Sequence, residues 1–182
     1  MKSIASRVRQ LLSMSHMLLG LLLLGSVTAQ AANVGDQLKN PTVRDANDGP
    51  ATIPSFGNKV LAIFYTDPDV SDQNDPFADK LKAAKLDETV YKGIGIANMK
   101  DTWLPNSVIR SIVRRKIEKY DATILTDPER LLVNAWSLGD CNDKSVVIIV
   151  DKKGKLQYLK KGPMSAKEME DGMALVRRLM AE

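Results

Sequence analysis

Five aspartates, Asp67, Asp69, Asp72, Asp75 and Asp79, crowd together directly after an apolar run. Carboxylates this dense are the usual means of holding a hard cation through oxygen ligands. Set against a calcium loop, Asp67, Asp69 and Ser71 hold the first, third and fifth positions. The sixth is Asp72, where glycine is needed for the sharp turn, and the twelfth is Ala78, where a bidentate glutamate is needed. The spacing fails as a calcium loop, so no metal and no other cofactor is assigned. What remains is a looser cation or ligand site, with Asp67, Asp69, Asp72 and Asp75 as the candidate residues, or a solvated helix cap.

The second reactive group is the thiol of Cys141, the one cysteine in 182 residues, set in Gly139-Asp140-Cys141-Asn142-Asp143. Acids on both sides disfavour its thiolate, so an inert loop thiol is expected, against the alternative of a single-cysteine redox partner. The one histidine is His16. Beyond it there is no imidazole, which excludes a Ser-His-Asp triad, a Cys-His dyad and histidine-ligated zinc or haem, while a lone cysteine excludes an intramolecular disulfide. A third cluster, Arg110, Arg114, Arg115, Lys116 and Lys119, alternates with Ile109, Ile112, Val113 and Ile117. This is an amphipathic helix with a charged face, and Arg110, Arg114 and Arg115 are its candidate partner surface. Trp103, just before Pro105, merits pursuit if it is exposed.

Lys2, Arg7 and Arg9, then an apolar run over residues 17–24, then Ala29-Gln30-Ala31, form the three regions of a secretory signal peptide spanning residues 1–31. Cleavage after Ala31 would leave a single domain of residues 32–182. Residues 11–27 are nearly long enough for an uncleaved anchor, but Ser13, Ser15 and His16 interrupt them. The leader holds three of the 26 basic residues and none of the 22 acids, which leaves 23 against 22 and a mature charge of +1. Nucleic-acid binding draws on a broad basic field that such a domain lacks. Nucleic acid is therefore excluded as a partner, membrane contact is confined to the leader, and the expected location is the periplasm.

Several elements must position these groups. A small hairpin is expected over residues 41–50, followed by a strand buried on both faces at 59–66. Asn74-Asp75-Pro76 opens a helix to about Lys85, with Asn74 as the capping side chain. Residues 90–97 read as a strand, Pro105 opens a helix to Tyr120, and residues 122–126 form another strand. The most apolar strand, 145–150, turns through Asp151-Lys152-Lys153-Gly154 into 155–159. Ser165 and Glu168 make a capping box for a closing helix whose stripe is Met169, Met173, Val176 and Met180. This order predicts an α/β, thioredoxin-like fold: a central mixed sheet flanked by helices, with a C-terminal hairpin and closing helix.

The segments 124–130, Asn134-Ala135-Trp136-Ser137-Leu138 and 146–155 resemble the YtfJ family of bacterial periplasmic thioredoxin-like proteins, best over residues 122–180. The resemblance implies a secreted protein of uncertain role. A regulator-of-transcription label sometimes attached to the family conflicts with a leader and a charge of +1. In redox-active thioredoxin-like proteins a Cys-x-x-Cys opens the helix after the first central strand, and here that place reads Asp69-Val70-Ser71-Asp72. The proline those proteins carry before the strand at 146–150 falls near Ser145 and is also missing. Asp67-Pro68-Asp69-Val70-Ser71 is similar to the D-x-D-x-T of haloacid-dehalogenase-like phosphatases, in which the first aspartate attacks phosphorus beside Mg²⁺. Thr126 and Asp140/Asp143 imitate the later motifs, but the acidic pair precedes a strand where it should follow one, and the expected lysine is absent. The reading is thus a non-catalytic binding or accessory module for an unknown periplasmic protein or small ligand, with a phosphatase or single-cysteine redox partner as alternatives.

Overall fold

The computed structural model describes residues 31–182, so the leader, apart from Ala31, lies outside the described residues. Seven strands form one mixed sheet: β1 (Thr42–Arg44), β2 (Pro50–Thr52), β3 (Val60–Thr66), β4 (Tyr91–Asn98), β5 (Ile124–Asp127), β6 (Ser145–Val150) and β7 (Leu156–Lys161). Their spatial order is β2-β1-β5-β4-β3-β6-β7. Four helices accompany them: α1 (Asp75–Ala83), α2 (Asn106–Tyr120), α3 (Leu131–Ala135) and α4 (Ala166–Ala181). β3, β4 and β5 run parallel, while β1, β6 and β7 pair antiparallel with their neighbours. β3 is central, as its unbroken apolar run requires, with Leu61 and Ile63 packed in one layer and Val60 and Ala62 in the other.

The two layers differ in what covers them. Phe77 and Leu81 of α1 join Met173, Val176 and Leu179 of α4 over Val60, Ala62, Val147 and Ile149. α2 extends that layer with Ile109 and Val113, packed beside Met99 and Ala97. On the other side α3, Trp136, Leu138 and the amino-terminal residues Leu38, Val43 and Ile53 close over Leu61, Ile63, Ile94 and Ile148. The indole N–H of Trp136 donates to the Lys39 carbonyl at 2.7 Å, so this ring satisfies its polar atom while buried. α4 sits close on α1 because position 172 is glycine: a Cβ there would stand 2.9 Å from Phe77 Cζ.

The strands, the hairpins and the capping box form where the residue patterns place them. Ser165 Oγ accepts from Glu168 N–H, and Glu168 Oε2 accepts from Ser165 N–H at 2.7 Å. The buried stripe of α4 differs slightly, running through Gly172, Met173, Val176 and Leu179, with Met169 and Met180 at its margins. Asn74 precedes α1 as expected but makes no capping bond. Its buried amide instead donates to the carbonyls of Ser145 (3.2 Å) and Gly162 (3.1 Å), and its oxygen accepts from Met164 N–H at 3.0 Å. These tertiary partners outcompete the local cap because the Gly162 carbonyl and the Met164 N–H would otherwise be buried without a hydrogen bond.

Removing three such bonds should be costly, because the Gly162 carbonyl and the Met164 N–H would be left unsatisfied, while the Ser145 carbonyl keeps the Gly162 N–H at 3.0 Å. Asn74→Ala is expected to lower the stability by about 2–4 kcal/mol, read as a drop in the urea midpoint at constant slope. The Lys160 ammonium and the Ser165 donors hold the Glu168 carboxyl down at about 2. Because the folded value is depressed, the stabilisation is complete above the ordinary glutamate value of about 4.3 and is lost as pH falls toward 2. Glu168→Gln should flatten the acid limb of a stability-versus-pH curve over that interval.

Candidate functional site

Because β3, β4 and β5 are parallel, their carboxyl ends emerge at one edge of the sheet, and antiparallel β6 begins there. Register sets Thr66 opposite both Ala97 and Ser145, and Asn98 opposite Asp127. Four chain segments therefore meet: 67–75, 98–105, 127–131 and 140–145. Open α/β sheets place their binding sites at this edge.

Asp67 is the hinge of the arrangement and is fully buried. Its Oδ1 accepts from Asp69 N–H at 3.0 Å, its Oδ2 from Asp143 N–H at 2.9 Å, and its own N–H donates to the Lys144 carbonyl at 3.1 Å. The first bond caps a single 3₁₀ turn, Pro68–Val70, and the second reaches across the sheet to the loop before β6. Gln73 Oε1 adds a bond from Ser145 N–H at 2.9 Å. Asp69 is exposed, with Oδ1 accepting from the Thr102 hydroxyl at 3.0 Å. One carboxylate oxygen from each of Asp67, Asp69 and Asp143 lies within 4.8 Å of the others. Asp72 and Asp75 are exposed and stand outside this group, Asp75 in the first turn of α1 where its charge complements the helix dipole.

The edge is buttressed from below. Asp101 pairs with Arg130 and accepts from the Asn98 amide at 2.6 Å. Asp127, fully buried, accepts from Leu131 N–H (2.8 Å) and Leu132 N–H (3.0 Å) at the start of α3 and from the Tyr65 hydroxyl at 3.2 Å. Burial, reinforced by the Asp127 charge, drives the Tyr65 phenol far above its ordinary range, so it stays a donor. Cys141 is 1% exposed and its Sγ lies 3.6 Å from the Gly139 carbonyl. Burial pushes this thiol up, with Asp140 acting in the same direction and Lys161 against it.

Thr102, Asn98 and Asp127 went unrecognised as partners of this edge in the sequence, and Asp143 entered only as an imitation of a later phosphatase motif, since contacts such as Asp67 to Asp143 span 76 positions and carry no local signal. The basic helix lies apart from it. Arg110 pairs with Asp48, and Arg114 donates to the Ala46 carbonyl at 2.9 Å, so both secure the turn between β1 and β2. Arg115 remains exposed, with Lys119 and Lys82 about the Tyr120 ring at 5.0 and 5.5 Å.

This topology defines the class: a thioredoxin-like α/β protein whose dithiol position holds an aspartate-capped turn. Solved structures agree on the fold. A thiol-disulfide isomerase from Corynebacterium glutamicum superposes with a TM-score of 0.61 at 14% identity, covering 81% of this chain and 97% of its own. A peroxiredoxin-like protein from Aquifex aeolicus gives 0.58 at 14%, over 82% and 89%. The exposed lipoprotein thioredoxin Etrx1 of Streptococcus pneumoniae gives 0.56 at 13%, over 78% and 100%.

The model of the family "Bacterial protein of unknown function (YtfJ_HI0045)" matches residues 59–179, from the residue before β3 into α4, and the chain belongs to that family. It is 27% identical over 112 residues to the uncharacterized protein YtfJ of Escherichia coli K12, covering 60% of this chain and 59% of the relative. A Haemophilus influenzae protein, also uncharacterized, is 25% identical over 108 residues, with 58% of each covered. The chain thus matches well under two thirds of the length of both curated relatives.

A buried, neutral thiol reacts slowly with disulfide reagents, because only the thiolate attacks. Native protein should react with Ellman's reagent at neutral pH at least tenfold more slowly than urea-unfolded protein. With the folded value raised, the Cys141 contribution to stability is full below the unfolded thiol value of about 8.5 and declines as pH rises beyond it. Cys141→Ser should remove that alkaline decline.

Proposed function

We propose that this chain is exported to the periplasm and, having no thiol redox site, works as a binding or accessory module through the carboxyl-end rim of its sheet. The observation that carries the reading is Asp67. At the place where thioredoxin-like enzymes open a helix with a reactive thiol, this chain has a buried carboxylate whose two oxygens are engaged by backbone N–H groups. The one thiol is buried beside the same rim and held neutral. Neither group has the exposure that covalent catalysis needs.

The leader pattern of residues 1–31 supports export, and Etrx1, a structural neighbour, is itself an exposed lipoprotein. Among the described residues no helix is long and apolar enough to cross a membrane. Against a phosphatase stands the full burial of Asp67, with a backbone N–H donor on each oxygen, which leaves the carboxylate without the access that attack on phosphorus needs. Against a single-cysteine redox partner stands the burial of Cys141. Asp69, Asp72 and Asp143 form the exposed acidic part of the rim, and the partner is a periplasmic protein or small ligand that meets it.

Two measurements test this. With dithiothreitol, the protein should precipitate insulin no faster than the reductant alone. Acceleration that disappears in Cys141→Ser would return the chain to redox chemistry. In a Gram-negative host the product should appear in the osmotic-shock fraction with a mass beginning at Ala32, whereas full-length protein retained in the cytoplasm would remove the export reading.

A further inference from the structure

Trp103 is 82% exposed, the most exposed large hydrophobic side chain among the described residues. An indole left in water forgoes most of the stabilisation its burial would give, and a large exposed aromatic of this kind is a common anchor of protein contacts. It does not ride on a slack loop. On one side Asp101 is held by Arg130 and Asn98, and the Thr102 hydroxyl donates to Asp69 Oδ1 at 3.0 Å while accepting from Leu104 N–H at 3.2 Å. On the other side Leu104 packs beside Ile109, Val113 and Met99. Val108, 43% exposed on the first turn of α2, continues the apolar surface. The indole is thus held out at a defined place, and docking on it requires little ordering of the loop.

The surroundings select the chemistry of what docks. Thr102 joins Trp103 to Asp69, whose carboxylate lies within 4.8 Å of that of Asp143. Both aspartates are exposed, and no described cation lies within ion-pair distance of either, because Lys144 is engaged by Asp140 and Arg130 by Asp101. Lys100 is the neighbouring exposed cation on the same loop. An exposed indole bordered by unpaired carboxylates matches a guanidinium or ammonium lying on the ring face.

We propose that this rim docks a partner protein through an arginine- or lysine-bearing segment, the cation stacked on Trp103 and drawn in by Asp69 and Asp143. The inference rests on the binding-module reading and specifies the chemistry of its partner.

The test uses protein purified after export of the full chain. Trp103 and Trp136 are the two tryptophans, and Trp136 is 2% exposed, so acrylamide quenching of the native protein reports Trp103. The probe is a blocked hexapeptide of alternating arginine and leucine, with its glutamate–leucine counterpart and spermine as controls. The arginine peptide is expected to protect Trp103 saturably and to bind with a steep salt dependence. By calorimetry its Kd should rise about three- to thirtyfold in Trp103→Ala, a substitution of an exposed side chain that leaves the core intact. In Asp69→Asn the Kd should also rise and its salt dependence should become shallower. Absence of protection, equal binding of the glutamate peptide, or an unchanged Kd in Trp103→Ala overturns the proposal, and spermine binding as tightly as the peptide overturns the protein partner. The insulin and fractionation results do not depend on Trp103, so failure here is distinguishable from failure of the broader reading.

Discussion

The architecture of the candidate edge depends on one carboxylate. Asp67 follows the central strand β3 directly, is removed from solvent, and uses its two oxygens for two different backbone segments. A buried carboxylate is costly unless its oxygens find donors, and charge-assisted bonds to backbone N–H groups are among the stronger ones available. Here the donors are the turn that leads to α1 and the loop that enters β6. Because β3 and β6 are adjacent and antiparallel, this pair of bonds closes the edge like a latch. Asp69 and Asp143 lie on the two segments it joins, and Thr102, next to Trp103, donates to Asp69.

The latch also sets the local structure at the turn after β3. In a dithiol protein of this fold the same turn must present a sulfur to solvent at a helix start, where the dipole favours the thiolate. Here a 3₁₀ turn capped by Asp67 occupies that turn, and α1 begins later, at Asp75. Negative charge is thereby concentrated where a thiolate would need positive potential. The same charge distribution that is poor for a nucleophile suits recognition of a cation, and the basic residues of α2 and the end of α1 lie away from it. Residues 32–182, whose charges sum to +1, thus keep an acidic rim at this edge.

Much of the fold was legible from local pattern. The unbroken apolar runs at 59–66 and 145–150 could be satisfied only as central strands, and Ser165 with Glu168 marked the start of α4 to the residue. The site was half legible. A crowd of aspartates after a buried strand pointed to this edge of the sheet, but the division of roles within it was hidden. Asp67 is a buried brace, Asp69 a rim residue and Asp75 a helix-start charge, distinctions that arise from tertiary burial and not from spacing. Asn74 looked like a cap and is a tertiary clamp, because the carbonyls of Ser145 and Gly162 arrive from far along the chain. Arg110 and Arg114 looked like a free basic face, and the turn between β1 and β2 occupies both guanidinium groups.

The measurement that tests the account most directly is amide hydrogen exchange on Asp67→Asn, compared with the unaltered protein. An asparagine oxygen can still accept one bond, but its amide meets the second N–H donor to donor, so the latch should open on one side. The account predicts faster exchange at Asp69 and Asp143 together, spreading through 98–105 and 140–145 while β3 and β6 stay protected. Faster exchange confined to the residues next to position 67, with the 140–145 loop unchanged, would contradict it.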